Sequence, residues 1–535
     1  MTGPTWRLAM EVHNLLQATI FHPLSLFFPF LLLFLFKWLF FSTQAPKKNL
    51  PPSPSKLPII GNLHQLGSHP HRTLEAMAHH HGPLMLLHLG KSPTLVVSSI
   101  DAAREITKAY DTIFANRPYS SIMSRLFYNN KDVLNASYGP HWRQMRGIYM
   151  TQLLSSARVR SFRTIREEET TIMMKKIEEY SHIAFEGKGL KPSCSPTKTQ
   201  YNRTCSLVNL SHLFASLTSA VICRVAFGRK YRKGTDGGRF RELLGEMGAL
   251  VGAFNVGDYI PWLGWMNYLN GLNKRVEKLF EEIDVFLNNI VEEHMASGSK
   301  EKMDFVDILL DIQKSSTDGA HFMDRDNLKA MILDIFAAGT DTTSIALEWT
   351  MSELVRHPQV MKEVQKEIRA IVGSKPSVTE DDTAEMHYLR AVIKENLRLH
   401  PPAPLLVPRE STKDVKVNGY DILANTTVFF NAWAIGRDPK SWEEADKFMP
   451  ERFLNSSVDI QGHDFHMIPF GFGRRGCPGG TFAIAIMELV LANLLHLFDW
   501  ELPGKLSEDL DVTEAPGLTT QRKFPLIVSA KPHYL

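Results

Sequence analysis

PFGFGRRGCPGG, residues 469–480, packs five glycines, two prolines and one cysteine into twelve positions. Two readings compete. Gly471, Gly473 and Gly476 spell G-x-G-x-x-G, the phosphate-cradling loop of dinucleotide folds. That loop needs a strand ahead of it and an acidic residue about twenty positions behind it. Pro469 interrupts the preceding run, and the first downstream acid, Glu488, comes too early and inside an apolar helix pattern. The second reading centres on Cys477, just before the helix pattern TFAIAIMELVLANLLHLF (481–498). Glycines beside a cysteine let backbone N–H groups approach the sulfur, and a helix N-terminus adds partial positive charge. Both favour a thiolate, which is a strong ligand for iron. For a lone cysteine, the plain alternative is a small buried apolar residue.

The neighbours decide between them. Phe470, Gly473, Arg475, Cys477 and Gly479 match F-x-x-G-x-R-x-C-x-G position for position. This resembles the haem-thiolate signature of the cytochrome P450 superfamily, and three further motifs agree in order and spacing. Glu395 and Arg398 form the E-x-x-R pair within Lys394–Arg398; by spacing alone they are an i, i+3 helix ion pair. Pro450–Phe453 reads P-E-R-F, and the resemblance implies that Arg452 completes a buried triad with Glu395 and Arg398. Trp142 and Arg146 match the W-x-x-x-R pair that bonds a haem propionate in that family. NLPPSPSKLPIIGNLHQLG (49–67), FANRPYSS (114–121) and LRLHPPAPLLVPRE (397–410) resemble the plant microsomal A-type group, with a lean towards furanocoumarin-type synthases.

The resemblance implies a mainly α fold with small β-sheets, one large haem domain behind an N-terminal transmembrane helix. It implies haem b, its iron ligated axially by the Cys477 thiolate. The cofactor-binding set is then Trp142, Arg146, Arg409, Phe470, Arg475, Cys477 and Gly479. Guanidinium forks suit paired carboxylate oxygens, which makes Arg146, Arg409 and Arg475, with Trp142, the propionate candidates.

The resemblance makes Asp341 and Thr342 the expected catalytic pair. In LKAMILDIFAAGTDTTSIALEWTMSELV (328–355), Ala338 and Thr342 share a helical face at i, i+4. Gly339 weakens the helix there, and Thr342 can bond a carbonyl back along the chain, opening room for dioxygen and water. Asp341 would relay protons from solvent and Thr342 would pass them on. Read without the cysteine loop, the same stretch is an ordinary buried helix with a threonine-rich kink.

Apolar periodicity at three-to-four spacing predicts helices over 160–181, 274–294 and 326–356. Strand-like runs stand at 84–89, 93–98 and 414–430, with Asn418-Gly419 as a hairpin signal. FHPLSLFFPFLLLFLFKWLFF (21–41) is long enough to cross a bilayer, with Lys37 near the end and Trp38 suited to the interface. Lys47, Lys48 and Lys56 follow it and only Arg7 precedes it, which by the positive-inside rule puts the body in the cytosol. The expected organisation is a luminal N-terminus (1–20), an anchor (21–41), a proline-rich stalk (42–67) and a monooxygenase domain (68–535). EGKGLKPSCSPTKTQYNRTCS (186–206) is polar and aperiodic and reads as an inserted surface loop.

The 535 residues carry 60 Lys plus Arg against 57 Asp plus Glu, a net charge of +3 that argues against a nucleic-acid partner. Four scattered cysteines exclude a disulfide scaffold and a Cys-x-x-Cys zinc site, and in a reducing cytosol they should be thiols. The expected function is insertion of one oxygen atom from dioxygen into an apolar plant specialised metabolite: a terpenoid, a coumarin or other phenylpropanoid, or an amino-acid-derived compound. No flavin motif follows the haem region, so electrons would come from a separate NADPH-cytochrome P450 reductase, with cytochrome b5 as a further candidate partner. Residues 113–135, 245–265, 403–408 and 514–520 are expected, by analogy, to line the substrate pocket. The location implied is the endoplasmic reticulum membrane, with a single pass into the lipid bilayer. Two rival classes are a haem-thiolate isomerase or dehydratase working without reductase, and a haem-binding membrane protein without turnover. The Asp341-Thr342 pair argues against the first, whose chemistry needs no proton relay.

Overall fold

The structure, a computed structural model, describes residues 29–30, 32, 48–185, 207–229, 236–297, 303–315, 323–504 and 506–533. The N-terminal segment 1–20, nearly all of the anchor 21–41, residues 42–47 and the loop 186–206 lie outside those residues. So do Cys194 and Cys205.

Two units are distinguished: residues 1–50 with 419–421, and the rest of the chain. In the small unit, Asn49 donates its backbone N–H to the Asp421 carboxylate at 2.8 Å and its side-chain amide to Gly419 O at 3.0 Å.

The large unit is mostly helical, as periodicity predicts. The helices that position the site are α1 (Pro140–Ile148), α2 (Arg163–Phe185), α3 (Leu210–Phe227), α4 (Leu272–Ser297), α5 (Arg325–Gly339), α6 (Asp341–Arg356), α7 (His387–Leu399) and α8 (Gly480–Leu497). The stretch read as one helix over 326–356 is two, parted at Thr340. Helix α3, the α5–α6 stretch taken together and helix α8 are long and apolar enough to raise the question of a membrane span, but each is largely buried within the fold. They form the core. Asn209 caps α3 by accepting from His212 N–H, and Gly228 ends it at φ 69°, a left-handed turn that suits glycine.

Of the sheets among the described residues, the two larger flank the helices. The first runs in the order β1 (Leu84–Leu89), β2 (Ser92–Val97), β5 (Thr427–Phe430), β4 (Arg409–Glu410), with β2 and β5 parallel and the other pairs antiparallel. The second places β7 (Ile527–Pro532) between β3 (Leu207–Asn209) and β6 (Phe498–Glu501), antiparallel on both sides. Asn418 and Gly419 both hold positive φ (49° and 81°), the geometry of the two-residue turn their sequence predicts.

The proline-rich segment departs from expectation. From Pro51 on, it does not stand off as a stalk but docks on the outer edge of β1. Leu86 N–H donates to Pro52 O at 2.9 Å, and Asn62 exchanges two hydrogen bonds with the backbone of His88, at 2.7 and 2.8 Å. An edge strand offers unpaired backbone groups, and this segment satisfies them. Gly61 is required there, because a Cβ would stand 2.0 Å from His88 O.

Candidate active site

The loop ahead of α8 is built from its glycines. Gly471 and Gly473 hold φ of 68° and 59°, and a Cβ on Gly473 would lie 2.6 Å from Asp111 Oδ1. Cys477 N–H donates to Phe470 O at 2.8 Å, closing the loop. No strand precedes these glycines, so the dinucleotide reading fails in the structure as it does in context. The Phe470 ring packs over Gly480, 3.5 Å from where a Cβ would be. The Cys477 sulfur lies deep in the protein, yet its surface is open, because it faces an interior cavity rather than bulk water. Burial pushes the thiol up, while the Gly479 and Gly480 N–H groups and the Arg146 charge oppose that shift.

The cavity measures about 280 Å³, and its walls are mostly apolar. Cys477 and Phe470 line one side; Ala338, Gly339 and Thr342 come to it from α5 and α6. Thr342 Oγ1 donates to Ala338 O at 2.7 Å, the back-bond expected at the helix break. A Cβ on Gly339 would stand 2.9 Å from Ile222 Cδ1, so this glycine also permits the close approach of α3. Asp341 is not on the cavity wall. It stands exposed at the start of α6, with surroundings dense enough that desolvation pushes its carboxyl up.

Four guanidiniums converge here: Arg117, Arg146, Arg409 and Arg475. They are held by backbone carbonyls. Arg475 donates to Ala115 O, Val133 O and Ala136 O at 2.7, 3.1 and 2.5 Å. Arg409 donates to Phe472 O at 2.7 Å, and Arg146 to Gly476 O at 2.5 Å. Burial, then the neighbouring Arg409 and Arg146 charges, push Arg475 down to about 9. Burial pushes Arg409 down to about 10, only partly offset by Asp111 at 3.5 Å. Such an excess of desolvated positive charge beside an open thiol fits a dianionic, iron-bearing group. Trp142 lines the cavity too, but its indole N–H donates to Val133 O at 3.0 Å. In this structure a backbone carbonyl takes that single donor. What Trp142 offers is a ring face for Arg475, whose guanidinium carbon sits 4.4 Å from the ring centroid.

Away from the cavity, Glu395 and Arg398 form a bidentate pair at 2.7 and 2.8 Å with both side chains fully buried. Arg452 joins through its Nε at 3.1 Å, and Met449 N–H donates to the same Oε1 at 2.8 Å. The triad is assembled as the motifs imply.

Known proteins are similar to this chain over most of its length. The family model for cytochrome P450 matches residues 51–527. The chain belongs to the cytochrome P450 family. It is 52% identical to Cytochrome P450 736A117 of Prunus mume over 98% of both chains. It is 51% identical to Cytochrome P450 71A1 of Persea americana over 88% of this chain and 91% of that one. Among solved structures, a zebra fish cytochrome P450 with progesterone superposes with a TM-score of 0.73 at 26% identity, covering 87% of this chain and 99% of that one. This P450 is a haem monooxygenase, and its family holds haem iron on a cysteine thiolate.

Arg117 was not among the candidates drawn from sequence. It is half-buried on the cavity wall and donates to Leu134 O, Val407 O and Pro408 O at 2.8, 2.8 and 2.7 Å. The only signal was its place in FANRPYSS, which resembles the plant group without assigning it a role. The pocket segments are half right. Residues in 113–135 and 403–408 reach this cavity, whereas 245–265 and 514–520 do not; Leu154, Ile222, Val225 and Phe305 line it instead.

Proposed function

We propose that this P450 is anchored by residues 21–41 in the endoplasmic reticulum membrane, with 1–20 luminal and its catalytic body in the cytosol. It oxygenates an apolar plant metabolite (a terpenoid, a coumarin or other phenylpropanoid, or an amino-acid-derived compound) with electrons from a separate NADPH reductase. The observation that carries this reading is one cavity with the open Cys477 sulfur and Thr342 in its walls, apolar over most of its surface and ringed by four guanidiniums. Cys477 would be the iron ligand, and Arg117, Arg146, Arg409 and Arg475 would meet the propionates. When bound, the haem supplies reductive activation of dioxygen, placing one oxygen atom in the substrate and releasing the other as water.

The chain's residues do the rest. The Gly479 and Gly480 N–H groups stabilise negative charge on sulfur. Apolar walls orient the substrate and exclude water. The Thr342 hydrogen is committed to Ala338 O, so its lone pairs accept a donor in the cavity. Proton delivery requires that hydrogen to swing inward and be replaced from the Asp341 side. Glu395, Arg398 and Arg452 hold the segment from Gly436 to Met449 around the core and touch no substrate.

Cys477→Ser tests the reading. A serine alcohol cannot replace a thiolate, so the reduced, CO-bound variant should lose the long-wavelength Soret band. A variant that kept the band would remove Cys477 as the ligand.

A further inference from the structure

Two buried acids face each other behind the arginines. Asp132 and Asp334, on the 131–136 loop and on α5, are both more than nine-tenths buried. Each has one satisfied oxygen. Val133 N–H donates to Asp334 Oδ2 at 2.7 Å, and Asn135 donates its backbone and side-chain N–H groups to Asp132 Oδ2 at 2.9 and 2.6 Å. Each also has one oxygen, Oδ1, that receives no donor from the rest of the described protein. Val133, which follows Asp132 in the chain, donates to Asp334 and so draws the two acids together, each with a buried oxygen that a proton held between them would satisfy.

We propose that Asp132 and Asp334 share one proton and act as a latch fastening the 131–136 loop to α5. The consequence lies in what that loop carries. Val133 O accepts from both Trp142 and Arg475, Ala136 O from Arg475, and Leu134 O from Arg117. The latch thus positions two of the four guanidiniums without touching the cavity's reacting atoms. The groups facing it agree on where the proton sits. Asp132 feels the positive charges of Arg117 and Arg475, whereas Asp334 has Asp132 itself as its charged neighbour. Asp132 is the ionised member and Asp334 the protonated one. Burial pushes Asp132 up to about 6, and burial with the Asp132 charge pushes Asp334 well above the usual carboxylate range. Tyr149, whose hydroxyl donates to Met331 O at 2.5 Å, faces the pair and stays neutral because burial and both acids push it up. Lys131 beside the pair is turned to Asp324 at 2.6 Å and Asp326 at 3.3 Å and does not neutralise it. When the shared proton leaves to solvent, two buried carboxylates repel and the loop comes free.

Two readouts on the full-length holoenzyme test this, and only the second rests on the haem reading. Infrared spectroscopy should show a protonated carboxylic-acid C=O stretch that Asp334→Asn abolishes, and that Asp132→Asn abolishes if the first variant fails to fold. Transfer of haem to excess apomyoglobin, followed from below pH 6 into the alkaline range, should accelerate stepwise by about tenfold in wild type, the factor set by one lost hydrogen bond of ordinary strength. Asp334→Asn should flatten the step, since its amide donates to Asp132 and cannot ionise. A wild-type protein without the acid band, or a step that persists in both asparagine variants, would overturn the latch.

Discussion

Glu395→Ala should abolish stable haem incorporation rather than slow turnover. Glu395 accepts four hydrogen bonds: two from Arg398, one from Arg452 Nε and one from Met449 N–H. Truncation removes both acceptor oxygens, and with them all four bonds, at once. Arg398 keeps Gly436 O and Ala445 O at 2.6 Å each and Lys447 O at 3.1 Å, but its charge, with no exposure to solvent, loses its counter-ion. Breaking a buried pair from one side costs roughly 3–5 kcal/mol, against a total stability of about 5–15 kcal/mol for a typical domain. Gly436 transmits the damage, since a Cβ there would stand 2.5 Å from Arg398 O and the loop has no slack to repack. The assay is haem content per chain with the CO-bound spectrum, alongside a denaturant midpoint. Glu395→Gln, which keeps one acceptor oxygen, should fall between wild type and alanine. Haem-loaded Glu395→Ala with a wild-type midpoint would refute the reasoning and make the triad a passive contact.

Three other outcomes are expected. Thr342→Ala should leave haem content and CO spectrum intact but lower product formed per NADPH oxidised while peroxide rises; unchanged coupling would leave Thr342 as a kink residue only. Glu514 is buried, yet hydrogen bonds from His71 and from Arg72, at 2.9 and 2.8 Å, hold its carboxyl well below the usual range. A depressed carboxylate contributes stability above its unfolded value of 4.5 and loses it on acidification, so Glu514→Gln should flatten the acid limb of stability below that pH, as read by midpoints on either side. Deleting residues 1–44 should release protein from membranes with its CO spectrum unchanged; loss of haem would contradict an anchor separate from the fold.

What was legible in the sequence was chemistry carried by side chains in local patterns. The loop at 469–480, the Glu395–Arg398 spacing and the Ala338–Thr342 spacing each lie within a short run of consecutive residues, and the structure brings the members of each together. The break at Thr340 follows from Gly339 and the Thr342 back-bond. What stayed hidden depends on backbone atoms far apart in the chain. Arg117 joins the cavity through carbonyls of Leu134, Val407 and Pro408, and a carbonyl has no sequence signature. Trp142 turned to Val133 O for the same reason. The proline-rich segment read as a linker because nothing in its composition reveals that Pro52 O meets the edge of β1. The Asp132–Asp334 contact joins a loop to a distant helix, and neither acid stands in a motif.

The way the arginines are held bears on why the site works. Had each guanidinium been paired with a carboxylate, the cradle would be neutral and would offer a dianion nothing. Carbonyl dipoles satisfy the N–H groups without cancelling charge, and only Asp111, at 3.5 Å from Arg409, is a direct acidic partner among the described residues. The cost is mutual repulsion. Like charges held together away from water repel, and beyond burial the Arg409 and Arg146 charges push Arg475 down. A bound dianion converts that repulsion into attraction. Since a ligand that binds only the folded state stabilises it, the repulsion that strains the haem-free chain is what makes its fold and its cofactor depend on each other.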